Sequence, residues 1–206
     1  MVAAVVVLGI VAFALAGTGS APGASSTPVR NRIVSVADSQ LGYQTDPVDS
    51  YCNKYSAYWN VGSGDCGAGL RSEQWCADFA AWAWQQAGAV VDYKLTSGYL
   101  NAASASFYVW GVDHGTWHAA GSGYTPQPGD VAVYGLDTAT DTAVHVAVVT
   151  GYQEGARGPD VVNGDGNREG FSVVETGTDQ YRADTQDTGR SMLSGYASPL
   201  IPSSAG

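Results

Sequence analysis

The chain has 206 residues and a formal net charge of -10, with 45% hydrophobic and 11% aromatic residues. That is enough apolar material to bury the core of one domain plus tails, while a second full domain would be cramped. So acidic a chain has no basic surface with which to neutralise phosphates, which excludes nucleic acid as a partner.

Taken in order, residues 1–17, MVAAVVVLGIVAFALAG, form an apolar run of signal-peptide length followed by the small, polar TGSAPGASSTP. No Lys or Arg precedes the run, and its length falls short of the ~20 residues that span a bilayer comfortably. Residues 1–24 therefore read as an export signal or an N-terminal anchor, and 25–30 as a linker. Thr18 stands where a lipoprotein would need its cysteine. The expectation is a secreted, extracellular protein, with cell-wall association left open and no stable membrane association once the signal is removed. One folded domain is expected over 31–200, as a monomer, with a tail over 201–206.

Ile33, Val36, Ala37 and Leu41 fall at helical spacing, so a first helix is predicted to end near Leu41, before Gly42. Residues 43–71 hold tyrosines, glycines and two cysteines without a sustained period, and are expected to form an irregular ordered loop. Ser72 can cap a second helix over 73–86 that stops at Gly88, and a weaker helix is expected over about 97–110. After the turn PQPGD at 126–130 the period changes to two. VAVYG, AVHVAVVTGY, DVVNG and FSVVETG read as four short antiparallel strands. Helices followed by strands describe an α+β layer architecture.

Three cysteines leave one over after pairing. A Cys52–Cys66 bridge would close a small ring in the glycine-rich loop, leaving Cys76 as the free thiol in the first turn of the second helix. Backbone N–H groups and the positive helix end favour thiolate there. On the Cys76 face lie Phe79, Ala80, Ala83 and Ala87, mostly small. Alternation in AVHVAVV puts Ala143, His145, Ala147 and Val149 on one strand face, so small residues would meet small residues and the thiol would approach the imidazole of His145. A buried structural histidine is the plainer reading of His145. His114 and His118, in a polar stretch without alternation, are expected at the surface or a substrate rim.

WCADFAAW at 75–82, PQPGDVA at 126–132, HVAVVTG at 145–151 and VVNGD at 161–165, in this order, resemble the CHAP domain, the cysteine, histidine-dependent amidohydrolases and peptidases of the papain-like group related to NlpC/P60. The resemblance implies helices packed on a small antiparallel sheet and a cysteine nucleophile acting on amide bonds of bacterial peptidoglycan. Carried over by position, Cys76 matches the nucleophile and His145 the general base. Asn163 stands where the family usually has glutamate, and Asp165, two residues on, could supply the missing charge. Gln74 is a candidate oxyanion donor from its nearness in sequence to Cys76.

The chemistry implied is acyl transfer in two steps, with neither metal nor cofactor. No C-x-x-C pair supports a zinc site. NGDGNRE at 163–169 alternates oxygen ligands like a calcium loop, but lacks the central glycine and the twelfth-position glutamate of an EF-hand. Two other readings stand beside the wall hydrolase. One is a non-catalytic wall-binding module with Tyr43, Tyr51, Tyr55, Tyr58, Trp59, Trp110 and Trp117 as a sugar-stacking surface, although most of these aromatics are expected in the core. The other is a papain-like protease acting on proteins.

Overall fold

A computed structural model describes residues 27–156, 158–168, 171–178 and 192–202. The segment read as signal or anchor at 1–24, the first two linker residues and the end of the tail lie outside the described residues, and the rest of the expected linker, 27–30, is already helix. Among the described residues no helix is long and apolar enough to cross a membrane.

Helix α1 (Thr27–Asp38) buries Val29, Ile33 and Ala37 at the spacing that the sequence predicts, and it ends three residues before Leu41, which is exposed. The stretch expected to be irregular contains a helix, α2 (Lys54–Trp59). The signal lay in Asn53, whose side-chain oxygen accepts from the N–H groups of Tyr55 at 2.9 Å and Ser56 at 2.8 Å, satisfying two donors that a helix start leaves open. Six residues show too little periodicity to announce a helix on their own. On either side, β1 (Cys52–Asn53) pairs antiparallel with β2 (Arg71–Ser72). The Cys52–Cys66 disulfide is present and ties the intervening glycine-rich loop to β1. Closing a ring of that size contributes about 3 kcal/mol in the chain-entropy account.

Helix α3 (Cys76–Gln86) starts at the cysteine, three residues later than predicted. Ser72 is committed to β2 and does not cap it. Trp75 takes the cap position without a side-chain cap bond. Helix α4 (Ser106–Asp113) is about half the predicted length, because 97–105 forms turns and a loop.

The sheet has six antiparallel strands in the order β3 (Trp117–Ala119), β8 (Leu193–Ala197), β4 (Val131–Tyr134), β5 (His145–Gly151), β6 (Asp160–Arg168) and β7 (Phe171–Thr178). The four predicted strands are β4 to β7. The outer pair, β3 and β8, was not predicted, since three residues of WHA and the glycine-containing LSGYA show little alternation. His118 consequently sits in a strand, its ring stacked on Tyr124 at 3.6 Å.

The two sheet faces bury different sets. Val131, Val133, Val146, Val148, Val162 and Val174 share one core with α1, α3 and the aromatics Tyr55, Trp75, Phe79 and Trp84. Ala132, Tyr134, Ala147, Val149, Val161 and Tyr196 form a second cluster on the opposite face. This corrects the expected packing: α3 lies on the valine face of β5, and the face with Ala147 turns away. The small residues of α3 still matter, because Ala80, Ala81 and Ala83 are fully buried where the helix is covered by both sheet and α1.

The acids in two of the sequence motifs serve the fold. Asp130 of PQPGD is fully buried and accepts from Arg30 at 2.7 Å, Ser198 at 2.8 Å, Tyr124 at 2.7 Å and the Gln127 N–H at 2.8 Å. It fastens the turn before β4 to α1. Asp78 of WCAD, also fully buried, accepts from Ser56 at 2.6 Å and from Tyr93, joining α3 to α2 and the following loop.

Candidate active site

Cys76 is the first residue of α3 and His145 the first of β5, so the two elements meet at their ends. The backbone N–H groups of Val146, the residue after the histidine, and of Ala77 lie near enough to the sulfur to favour its anion. Val146, the next residue, lies in the core shared with Cys76, and His145 is buried beside it at the start of the strand.

On the adjoining strand, Asn163 faces the imidazole. The Nε2–H of His145 donates to Asn163 Oδ1 at 3.0 Å, with both residues almost completely buried. A neutral imidazole has one N–H. This bond selects the tautomer with its proton on Nε2 and its basic lone pair on Nδ1.

Past Asn163 the β6–β7 register shifts, and Asp165 adopts a left-handed backbone with φ of +57°. Gly164 lies against α3, where an added Cβ would stand 2.5 Å from the Cβ of Phe79. The shift turns Asp165 away from the histidine and toward the start of α3. There its carboxylate accepts from the Trp75 N–H at 3.1 Å and from the Ser172 hydroxyl, which also accepts from the Trp75 indole N–H at 2.8 Å. Asp165 thus occupies part of the positive helix end that was expected to serve the thiol.

The electrostatics follow from burial. Desolvation pushes the Cys76 thiol up to about 11, a bond to Ser104 opposes this, and the charge of Asp165 adds to it. Burial drives His145 down to about 4, opposed by Asn163. Asp165 is itself raised to about 6, again chiefly by burial. At neutral pH the resting groups are therefore a thiol and a neutral imidazole. The expectation that the helix start would hold a thiolate is overturned in direction, because the cost of burying charge exceeds what two N–H groups return.

Gln74 is exposed, and its side chain makes none of the hydrogen bonds described at the site. Ser104 escaped the sequence reading. Its hydroxyl lies 3.3 Å from the Cys76 sulfur, both groups being buried. Nothing local distinguishes it from Ser97 or Ser106. The flanking Ala103 and Ala105 line a cavity of about 180 Å³ that also includes Asn101, Ser106 and Asp141. Among the described residues no group of three or more His, Cys, Asp or Glu side chains could hold a metal ion. Glu169 of the calcium-like run lies outside them.

A buried cysteine opening a helix that lies on an antiparallel sheet, with a histidine and an asparagine bonded across adjacent strands, is the architecture of papain-like cysteine hydrolases. Residues 67–165 match the family model of the CHAP domain, and the chain carries this domain. The matched segment takes in α3, β4, β5 and the bend in β6, and so includes Cys76, His145, Asn163 and Asp165. CHAP domains are a hydrolase family of amidases and peptidases. No curated protein and no solved structure matches the chain.

Proposed function

We propose that this chain is an exported cysteine amidohydrolase or endopeptidase that cleaves amide bonds in bacterial peptidoglycan. The observation that carries the reading is the buried His145–Asn163 bond, in a CHAP domain whose one free cysteine opens a helix. Cys76 is the nucleophile, His145 the base and Asn163 the residue that orients the ring.

In the first step the S–H bond of Cys76 breaks and its proton passes to Nδ1 of His145. The sulfur forms a bond to the substrate carbonyl carbon, and the π pair moves to oxygen. Collapse of this intermediate breaks the C–N bond, with the proton on His145 leaving on the amine. Water then gives a proton to the same nitrogen as its oxygen bonds to the thioester carbon, the C–S bond breaks to release the carboxylic acid, and the proton on His145 returns to the Cys76 sulfur. Starting from a neutral pair, proton transfer accompanies attack, so the imidazole must hold its Nε2–H on Asn163 throughout.

Export is supported by the apolar run at 1–17 and by the Cys52–Cys66 bridge, since disulfides persist in oxidising compartments. Of the seven aromatics in the wall-binding reading, Tyr55 and Trp110 are buried, Tyr43, Trp59 and Trp117 pack partly buried against the core, and Tyr51 and Tyr58 are exposed. The test is mass spectrometry of fragments released from purified peptidoglycan by wild type and by Cys76→Ala. New amino termini or free stem peptides from wild type alone are expected. Equal release by a folded Cys76→Ala protein would refute the assignment.

A further inference from the structure

We infer that Ser104 is a further catalytic residue, whose hydroxyl donates to the Cys76 sulfur and stabilises the thiolate as it forms. The inference rests on Cys76 being the nucleophile.

The Ser104 hydroxyl lies against the sulfur, and two backbone N–H groups near it also favour the anion. Val146 N–H comes from the start of β5, Ala77 N–H from α3, and the Ser104 hydroxyl from the loop before α4 at 3.3 Å. The backbone donors are fixed by the fold. The hydroxyl is the one donor that can rotate, and only it can be removed by substitution. For the thiol to pass its proton to His145, the S–H must not be spent on Ser104, which requires the hydroxyl to be donor and the sulfur acceptor. That arrangement is weak while sulfur is neutral and strengthens as charge develops, because hydrogen bonds to ionised groups are roughly twice as strong as neutral ones. It is thus an interaction realised on the way to the transition state, the kind that raises turnover.

The site needs it. Burial and the charge of Asp165 both oppose the thiolate, and a neutral His145 supplies no positive charge until it has taken the proton. Among the groups around the sulfur, only the hydrogen-bond donors favour the anion. Ser104 is also buried without being apolar, and its side chain does not cap α4, whose start has no side-chain cap bond.

The step is the one already written: S–H breaks, N–H forms on His145, the electron pair stays on sulfur, and Ser104 keeps its own proton. A Thr at 104 can donate in the same way. An Ala cannot.

The experiment follows the rate of Cys76 alkylation by iodoacetamide against pH in the wild-type, Ser104→Ala and Ser104→Thr proteins. Cys76 is the free thiol once the disulfide is intact, so the readout reports one group and needs no substrate. In Ser104→Ala the midpoint should rise by about one pH unit, and kcat/KM on purified peptidoglycan should fall about tenfold or more. Ser104→Thr should restore both. An alkylation midpoint in Ser104→Ala equal to wild type overturns the inference, as does a Thr variant displaced as far as the Ala variant with circular dichroism unchanged. A shifted midpoint in a protein that releases nothing from peptidoglycan would leave Ser104 in this role and remove the substrate reading instead.

Discussion

Asn163→Ala isolates what the family's usual glutamate position does when an amide fills it. The substitution takes the acceptor from a buried imidazole N–H whose bond is 3.0 Å long. Leaving such a donor unsatisfied costs about 1–3 kcal/mol, which corresponds to about 5- to 150-fold in rate if the cost falls on the transition state. The ring also loses the bond that selects its tautomer. Asn163 opposes the depression of the His145 pKa, so without it the imidazole should be harder to protonate and the acid limb of the pH profile should move down. Asn163→Asp should move that limb up, because a carboxylate favours the imidazolium. The assay is kcat/KM for clearing of purified walls from about pH 3 to pH 9, a range that reaches below the His145 midpoint, with both variants checked by circular dichroism. Asn163→Ala within about twofold of wild type, or a limb displaced upward, would refute the reasoning. So would a crippled Asp165→Ala beside a normal Asn163→Ala, because Asp165 is bonded to Trp75 and Ser172 and not to the histidine.

Asp165→Asn keeps an acceptor for the Trp75 N–H while deleting a charge that raises the thiol pKa, so the alkylation midpoint of Cys76 should fall, by up to about one pH unit; an unchanged midpoint would show that the charge is not felt at the sulfur. Asp130→Ala strands Arg30 and three other donors, and should cost about 3–5 kcal/mol in urea unfolding while leaving the Cys76 alkylation midpoint unchanged in the folded protein. His145 has its folded pKa depressed from 6.5 to about 4, so its contribution is present above 6.5 and lost as pH falls through that window. The stability of wild type relative to His145→Gln should accordingly drop by about 3 kcal/mol between pH 6.5 and 4, a difference in which the carboxylates of Asp165 and Glu73, raised and therefore opposite in sign, cancel. A pH-independent difference would mean that the ring is solvated.

What the sequence determined by itself is what local pattern encodes. The period of 3.6 in α1, the period of two in β4 to β7, the glycine after α3 and the odd cysteine each act over a few residues, and motif order was enough to indicate the CHAP resemblance. The pairing of His145 with Asn163 was foreseeable because both lie on short alternating strands that the motifs already aligned. Other features were decided only by tertiary structure. Whether Cys76 is a thiol or a thiolate depends on how deeply other elements bury it, and desolvation has no sequence period. Asp165 and Asn163 are equivalent candidates on paper, two residues apart on one strand, until the irregularity at Gly164 and Asp165 sends one carboxylate to Trp75 and leaves the amide on the imidazole. Ser104 comes to the sulfur across 28 residues of chain, through a loop with no pattern of its own. Contacts of that range are set by how the whole core packs, so the nucleophile could be read from its neighbours in sequence, while the groups that tune it could be read only from its neighbours in space.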